Sequence, residues 1–531
     1  MRSKKASLII NPRTGQNVAK LPDVLAVLSA AGWKTKIALK EYGKHVMELA
    51  RKASDGKREL VIAYGGDGTL NQVVNGVMSV KGKRSVVAVM PGGTANVWAG
   101  EIGVPTEPVK AALALVNSEE RKVDVGRVEV YSLTFPGEQP TLIAGKIKKK
   151  ATRDSRAVRH HFLLMAGLGI DAAVMGAVSK PLKYRIGPLA VGLSAMKEMP
   201  AQHAFPIEIR ALGSDTKKDM LWKGDALQIV LGNTRRYAKV ATLTPNAYID
   251  DGILDVCVIT SGDALTTVQQ FASLLLRLKP DTTTAEYFHG AHLLITVPST
   301  VLFQVDGSPV KLKDYLSNAD YKKLQQAQDK SQVMVTYQVD SVPHALQVAI
   351  PCTYNDELFE HTAEQQQSVR KQHIEEGSSP IKVYRAKDED NPETPLQQKT
   401  VALESQPQSL LNRNKEDDEQ AQKHVEEMRK ELPAFADALL EHGQRIVVVG
   451  KAPNPAQKQT YIIAGGLQRP ITGETIPVAV VVNSETDVFN REGHRVNDLA
   501  PAVHELVEGA VIVVEGKRSK RGVIHARRLV L

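Results

Sequence analysis

The five residues Gly65-Gly66-Asp67-Gly68-Thr69, placed straight after the apolar run Leu60-Val61-Ile62-Ala63-Tyr64, restrict this chain more than any other feature. A run of that length and composition reads as a strand buried on both faces, and residues 70–80 follow as a helix. Strand, glycine turn and helix in that order can hold a polyphosphate. Glycine lets backbone N–H groups approach anionic oxygens, and a helix N-terminus adds positive potential. Asp67 is the odd member, because an acid facing phosphates is costly unless a divalent cation or a transferred proton is involved. The turn therefore points to nucleotide-dependent phosphoryl transfer.

The surroundings of the turn alternate strand and helix. Strands are expected at 6–11, 34–39, 60–64 and 86–90, with helices at 18–31 and 44–53, which is an α/β pattern with a parallel sheet. From residue 123 to about 351 the runs turn mostly β, at 162–165, 226–232, 254–260, 292–297 and 301–305. Helices at 187–197 and 264–278 interrupt them, so a second, antiparallel domain is expected. Residues 353–430 are rich in Gln, Glu, Lys and Asp, and the stretch from Asp388 to Pro395 reads as a flexible linker. Val425, Met428 and Leu432 then fall at helical spacing, and Pro433 opens a helix over 434–442. Five strand candidates follow, at 445–449, 461–464, 477–482, 510–515 and 523–531. They suggest a small β-barrel, with an OB-type fold as one option. The expected division is a 1–128 α/β domain, a 129–352 antiparallel β domain, a 353–430 linker and a 431–531 β-rich domain.

Length and composition set the outer limits. At 531 residues and 42% hydrophobic, the chain has ample core for two to four domains. Two cysteines, Cys257 and Cys352, give no disulfide framework and fit a reduced cytosolic setting. The basic start is followed by an apolar segment of only residues 6–10, too short for a signal peptide, and no window approaches a membrane span. A cytoplasmic protein, soluble or peripheral to a membrane, is expected. Of the net charge of +9, Lys146, Lys148, Lys149, Lys150, Arg153, Arg156 and Arg159, less Asp154, contribute +6. That segment is either a solvated hairpin tip or a patch for anionic lipid headgroups. The basic turn at 516–522 could meet nucleic acid, but aromatic stacking residues are nearly absent around it, so nucleic acid is not expected as a partner.

Four further clusters agree with the glycine turn. Asn11-Pro12-Arg13-Thr14-Gly15 ends the first strand, and Pro91-Gly92-Gly93-Thr94-Ala95-Asn96 ends the fourth, so both join it on one sheet edge. Asp250-Asp251-Gly252-Ile253-Leu254-Asp255 packs three carboxylates into six residues, a plausible hard-cation site. Gln304-Val305-Asp306-Gly307-Ser308-Pro309 closes a β-run with another acid. Each alone is commonly just a turn; it is their co-occurrence that carries the reading. His160, His161 and His292 have no second ligand at metal spacing and read as structural. Trp98 and Trp222 read as core or cleft wall.

With these motifs in order, the sequence resembles the diacylglycerol kinase catalytic-domain family, which includes bacterial soluble lipid kinases and the sphingosine kinases. The likeness runs through Asn11 to Gly15, Gly65 to Gly76, Pro91 to Asn96, Gly167 to Ala172, Gly232-Asn233, Asp251 to Asp255 and Asp306-Gly307, covering about residues 5–351. It implies an α/β nucleotide-binding domain, a β-sandwich that shapes a lipid cleft, and Mg-ATP-dependent phosphorylation of a lipid hydroxyl. Carried over by position, Asn11, Pro12, Arg13, Thr14, Gly15, Lys40, Gly65, Gly66, Asp67, Gly68, Thr69, Leu70, Asn71, Gln72, Gly93, Thr94 and Asn96 would meet ATP. Asp251, with the backbone carbonyls of Tyr248 and Ile253, would match the structural metal site. Asp67 and Asp306 are the expected catalytic acids.

Three positions depart from the family pattern. Bacterial members usually read Asp-Gly-Glu, with Glu as proton acceptor, where this chain has Asp306-Gly307-Ser308. The usual Thr after the second strand is Lys40, a mobile point charge. A glycine-rich stretch is replaced by Tyr237-Ala238-Lys239-Val240-Ala241, which would reshape the acceptor cleft. An NAD kinase-like enzyme and a catalytically weakened lipid- or nucleotide-binding protein stay open as alternatives, as does a homodimer.

Overall fold

The computed structural model describes residues 4–12, 19–93, 95–143, 160–169, 204–212, 220–237, 241–260, 285–361, 443–454, 457, 459–468, 475–490 and 494–531. The helices expected at 187–197, 264–278 and 434–442 lie outside these residues. So do the stretch around Asp388 and the basic cluster between Lys146 and Arg159.

The chain begins as the sequence suggests, with β1 (Lys5–Ile10), α1 (Leu21–Ala30), β2 (Lys34–Leu39), α2 (His45–Asp55), β3 (Leu60–Gly65), α3 (Asp67–Met78), β4 (Val86–Pro91), α4 (Val97–Glu101) and α5 (Pro108–Val116). Strands β2, β1, β3 and β4 lie side by side in parallel, with Ile10 level with both Leu39 and Tyr64, and Gly65 level with Pro91. Their residues are apolar at both parities in β1, β3 and β4, as strands covered by helices on two faces must be.

The β-rich part contains β5 (Ser118–Thr134), β6 (Thr141–Leu142), β7 (His161–Phe162), β8 (Met165–Gly169), β9 (Phe205–Ala211), β10 (Met220–Gly232), β11 (Arg236–Tyr237) and β12 (Ala241–Thr242). It continues with β13 (Leu254–Thr260), β14 (Ala285–Gly290), β15 (His292–Pro298), β16 (Phe303–Val305), β17 (Ser308–Pro309), α6 (Asn318–Gln326) and β18 (Met334–Pro351). Pairing is antiparallel in this part, and a large apolar core lies between its layers. The long strand β18 joins the two parts: it pairs antiparallel along β5 and meets β4 in parallel at Val348 and Val87. Residues 352–361 fold back on β5, where the buried Arg121 guanidinium holds Asp356 at 3.1 Å and donates to the His361 carbonyl at 2.8 Å.

A single strand over 162–165 does not form. The chain breaks between β7 and β8 because the N–H groups of Leu163, Leu164 and Met165 turn toward the Asp306 carboxylate instead of a ladder partner.

The C-terminal sheet consists of β19 (Gln444–Pro453), β20 (Tyr461–Gln468), β21 (Thr475–Val482), β22 (Asp487–Phe489), β23 (Val511–Arg518) and β24 (Val523–Val530), with α7 (Leu499–Glu505) before β23. Five of these strands close into a barrel in the order β19-β20-β21-β24-β23-β19, with β21 and β24 parallel and the other pairs antiparallel. Relabelled one to five along the chain, that order is 1-2-3-5-4-1. It is a five-stranded Greek-key barrel of the OB type. The short β22 pairs in parallel with the far end of β24, beyond the β21 pairing, puts Val488 in the barrel core and was not foreseen in the sequence.

Candidate active site

The carboxyl ends of β1, β3 and β4 bring three loops together. The Asn11 N–H donates to the Tyr64 carbonyl at 3.1 Å, and the Gly92 N–H to the Gly65 carbonyl at 3.1 Å, so the three strand ends are tied at one level. Lys40 joins them, its N–H donating to the Ile10 carbonyl at 2.9 Å. Arg13, Thr14, Gly15 and Thr94 lie outside the described residues.

Helix α3 starts earlier than residue 70. Gly66 is its N-cap in extended conformation, and its carbonyl accepts from the N–H groups of Thr69 at 2.8 Å and Leu70 at 3.1 Å. Asp67, Gly68 and Thr69 therefore form the first helical turn. The Asp67 Oδ1 accepts from the Trp98 N–H at 3.2 Å, which fixes the start of α4 against the start of α3. Asn11 Nδ2 lies 3.4 Å from Thr69 Oγ1. Leu70 faces the core, and Gln72 donates from Nε2 to the Gly68 carbonyl at 3.3 Å.

Glycine is required where two loops touch. A Cβ on Gly93 would overlap the Cα of Gly66, and one on Gly66 would stand 3.1 Å from the Cα of Gly93. Asn96, with φ of 47°, locks the Gly93 turn from both sides. Its Oδ1 accepts from the Gly93 N–H at 2.8 Å, and its Nδ2 donates to the Gly93 carbonyl at 2.7 Å. A Cβ on Gly68, in contrast, would meet open space. The result is a backbone-lined cradle at a helix N-terminus, open on the Gly68 side, which is what an extended polyphosphate needs.

Asp306 is placed differently from an acid waiting for a substrate. It has φ of 44°, and its buried carboxylate accepts four hydrogen bonds. Oδ1 takes the N–H groups of Leu164 at 3.0 Å and Met165 at 3.1 Å. Oδ2 takes the Leu163 N–H at 2.9 Å and Asn71 Nδ2 at 2.8 Å. Burial raises its pKa, and these donors oppose the rise. Because every partner donates, the ionised form fits this nest and a proton on either oxygen would collide with an N–H. Ser308 stands two residues on, partly exposed, in β17.

Asn75, one helical turn after Asn71, completes the junction and was not singled out in the sequence. Its Oδ1 accepts from the N–H groups of His160 and His161, both at 3.0 Å, and its Nδ2 donates to the His161 carbonyl at 2.9 Å. Four-residue spacing from Asn71 on one helix face was the signal available. The His161 side chain is half-buried and its ring stays neutral. Burial, then His160, Arg127 and Arg84, push its pKa down to about 3.

The acidic cluster forms around the start of β13. Asp251 is tied into a local turn, its Oδ1 accepting from the Ile253 N–H at 2.9 Å, and burial with the nearby Asp124 and Asp255 pushes its pKa up to about 8. Asp124, which the sequence reading passed over, is fully buried and accepts from the His344 N–H at 2.6 Å and the Gly252 N–H at 2.5 Å. Burial pushes its pKa up to about 7 in spite of those two donors. Tyr248 lies beneath the Arg235 guanidinium, 4.9 Å from its ring centre. Among the described residues no three ligating side chains gather as they would around a metal ion. Oxygen donors are present, however, and burial, which disfavours the charged carboxylates of Asp124 and Asp251, is a cost that a bound divalent cation would offset.

Residues 5–128 match the family described as diacylglycerol kinase catalytic domain, and residues 165–313 match the YegS C-terminal NAD kinase beta sandwich-like domain. The chain belongs to the diacylglycerol kinase catalytic-domain family. Among its relatives in that family, a diacylglycerol kinase of Bacillus subtilis (strain 168) is 26% identical over 305 residues, which is 57% of this chain and 86% of that protein. One of Staphylococcus carnosus (strain TM300) is 29% identical over 259 residues, 48% of this chain and 72% of that protein. A crystal structure of a diacylglycerol kinase from Bacillus anthracis str. Sterne aligns with a TM-score of 0.45 at 19% identity, covering 67% of this chain and 99% of that one.

Proposed function

We propose that this member of the diacylglycerol kinase family transfers the γ-phosphoryl group of ATP to the hydroxyl of a lipid such as diacylglycerol or a sphingoid base. The observation that carries the reading is the meeting of the Asn11, Gly65-Gly66 and Gly93 to Asn96 loops at the N-terminus of α3. ATP, when bound, supplies the phosphoryl group, and Mg2+ the charge that neutralises it. The chain supplies position and electrostatics, which are most of what phosphoryl transfer requires.

In this reading residues 1–128 bind the nucleotide and residues 129–352 shape the acceptor cleft. The loops at Asn11, Gly66 and Gly93 bind the phosphates, with Lys40 alongside. Asp251, with the Tyr248 and Ile253 carbonyls, would hold a structural Mg2+. Asp67, partly exposed at the phosphate edge, accepts the proton of the substrate hydroxyl. Asp306 acts through α3 and the β7–β8 turn as a positioning residue, its carboxylate being taken up by four donors. The basic cluster between Lys146 and Arg159 contacts the anionic membrane in which the acceptor sits. No described helix is long and apolar enough to cross a membrane.

The test is transfer of radiolabel from ATP to a panel of diacylglycerol, sphingoid bases and native membrane extract. A labelled lipid supports the reading and names the acceptor. ATP binding without turnover on any lipid would instead favour a binding protein, the alternative that Ser308 raises.

A further inference from the structure

The C-terminal barrel presents one apolar outer face, and the kinase body covers it. Along β20 and β21, Ile463, Val478, Val480 and Val482 point into the barrel core. The residues between them, Ile462, Ala464, Ala479 and Val481, belong instead to the core built on α1 and α5. A barrel strand open to solvent alternates apolar and polar residues, whereas residues 478–482 are apolar at both parities, as in a strand covered twice. The two helices correspond: α1 carries one charged residue in ten, and α5 one in nine, so both are buried on two sides. Contact is close. A Cβ on Gly450 would come within 2.8 Å of Leu113 Cδ1, and one on Gly522 within 3.4 Å of the Ala26 methyl. At the rim Lys110 Nζ meets Glu508 Oε2 at 2.7 Å.

In OB barrels the second and third strands form the face that binds oligonucleotides. Here those strands are β20 and β21: α1 lies on β21 and the edge of β20, and α5 lies on β19 and β20. Tyr461 and Phe489 are the only Tyr, Phe or Trp side chains from 443 to the end, so stacking platforms are also missing. Helix α1 is the element that follows the Asn11-Pro12 strand end, so whatever fixes α1 also fixes the anchor of the first phosphate loop.

We propose that the barrel is an intramolecular brace: its ligand-type face is closed on α1 and α5, and by holding α1 it supports nucleotide binding. The second half of this proposal rests on the ATP reading given above.

The test uses the full chain carrying Ala479→Arg, which places a long cation in the contact while leaving the barrel interior unchanged, and Glu508→Lys as a milder rim variant. Hydrogen exchange, affinity for a non-hydrolysable ATP analogue, and binding of a 20-mer of dT are read together. In Ala479→Arg the amides of α1 and α5 exchange faster, those of β23 stay protected, and analogue affinity falls by about 2- to 30-fold. Glu508→Lys shifts both in the same direction by less, and the wild-type chain does not bind the oligonucleotide. Unchanged exchange in α1 and α5 in both variants, or oligonucleotide binding by the wild type with α1 still protected, would overturn the closed face. Faster α1 exchange with unchanged analogue affinity would overturn the bracing role. If the wild type binds no ATP analogue, the nucleotide reading fails, and the exchange data alone decide whether the face is closed.

Discussion

Asn71 on α3 donates from Nδ2 to Oδ2 of Asp306 at 2.8 Å, joining the α/β part to the β-sandwich across 235 residues of sequence. The same amide donates to the His161 carbonyl at 2.9 Å, so one side chain ties three segments. That joint fixes how α3 and the β-sandwich face each other.

Asn71→Ala removes one of the four donors of a buried carboxylate and a donor to a buried carbonyl. The expected loss is about 1–3 kcal/mol of stability, measured by denaturant unfolding. Asp306→Asn turns an NH2 group toward N–H donors and costs more than Asn71→Ala. An Asp306→Asn protein as stable as wild type, with only turnover lost, would show that this carboxylate is a base and not an anchor.

The glycines give a graded series. Gly93→Ala forces backbone against backbone at Gly66 and lowers both stability and nucleotide affinity, with a packing cost of about 1–3 kcal/mol. Gly66→Ala, with 3.1 Å available, costs less. Gly68→Ala meets open space within a helix, so its melting temperature holds or rises while the added methyl weakens ATP binding. Equal thermal destabilisation by all three variants would contradict the loop geometry.

Asp251 and Asp124 predict a pH dependence with a definite sign. Their folded pKa values, about 8 and about 7, lie above the ordinary carboxylate value, so the folded state binds more protons than the unfolded one. Their contribution to stability is complete below about pH 4 and is lost as pH rises through 7 to 8. Without divalent cation, unfolding free energy attributable to this cluster falls between pH 5 and pH 8, and millimolar Mg2+ restores it most at pH 8. Melting curves at the two pH values, with and without chelator, read this directly. A Mg2+ effect that is larger at pH 5 would exclude the cluster as the cation site.

The family resemblance puts Ser308 where bacterial members usually carry Glu, two residues from Asp306. Ser308→Glu is expected to raise lipid phosphorylation, a positioned general base being worth about 10²–10⁴-fold. A rate left unchanged by Ser308→Glu places proton acceptance wholly on Asp67.

The α/β half was legible because its signals are local: an apolar run, a glycine turn and a helix lie within residues 60–80. The barrel was legible as strands for the same reason, although its closure through the parallel β21–β24 pair is not written in any one segment. What the sequence did not show depends on distant partners. Asp306 looks like a turn acid until Leu163, Leu164 and Met165 are seen to aim their N–H groups at it. Asp124 sits unmarked in a strand, and its importance comes only from Gly252 and His344, residues far along the chain. The apolar parity of residues 478–482 was visible, but nothing local says that α1 and α5 cover it.

In the proposed function Asp67 serves ATP-dependent transfer to a lipid hydroxyl at the α3 N-terminus. Radiolabelled ATP, a lipid extract and paired wild-type and Asp67→Ala proteins test it in one assay. Labelled lipid with wild type, and a signal reduced by about 10²-fold or more with Asp67→Ala while the fold is retained, is the predicted result. Full activity in Asp67→Ala would contradict the account.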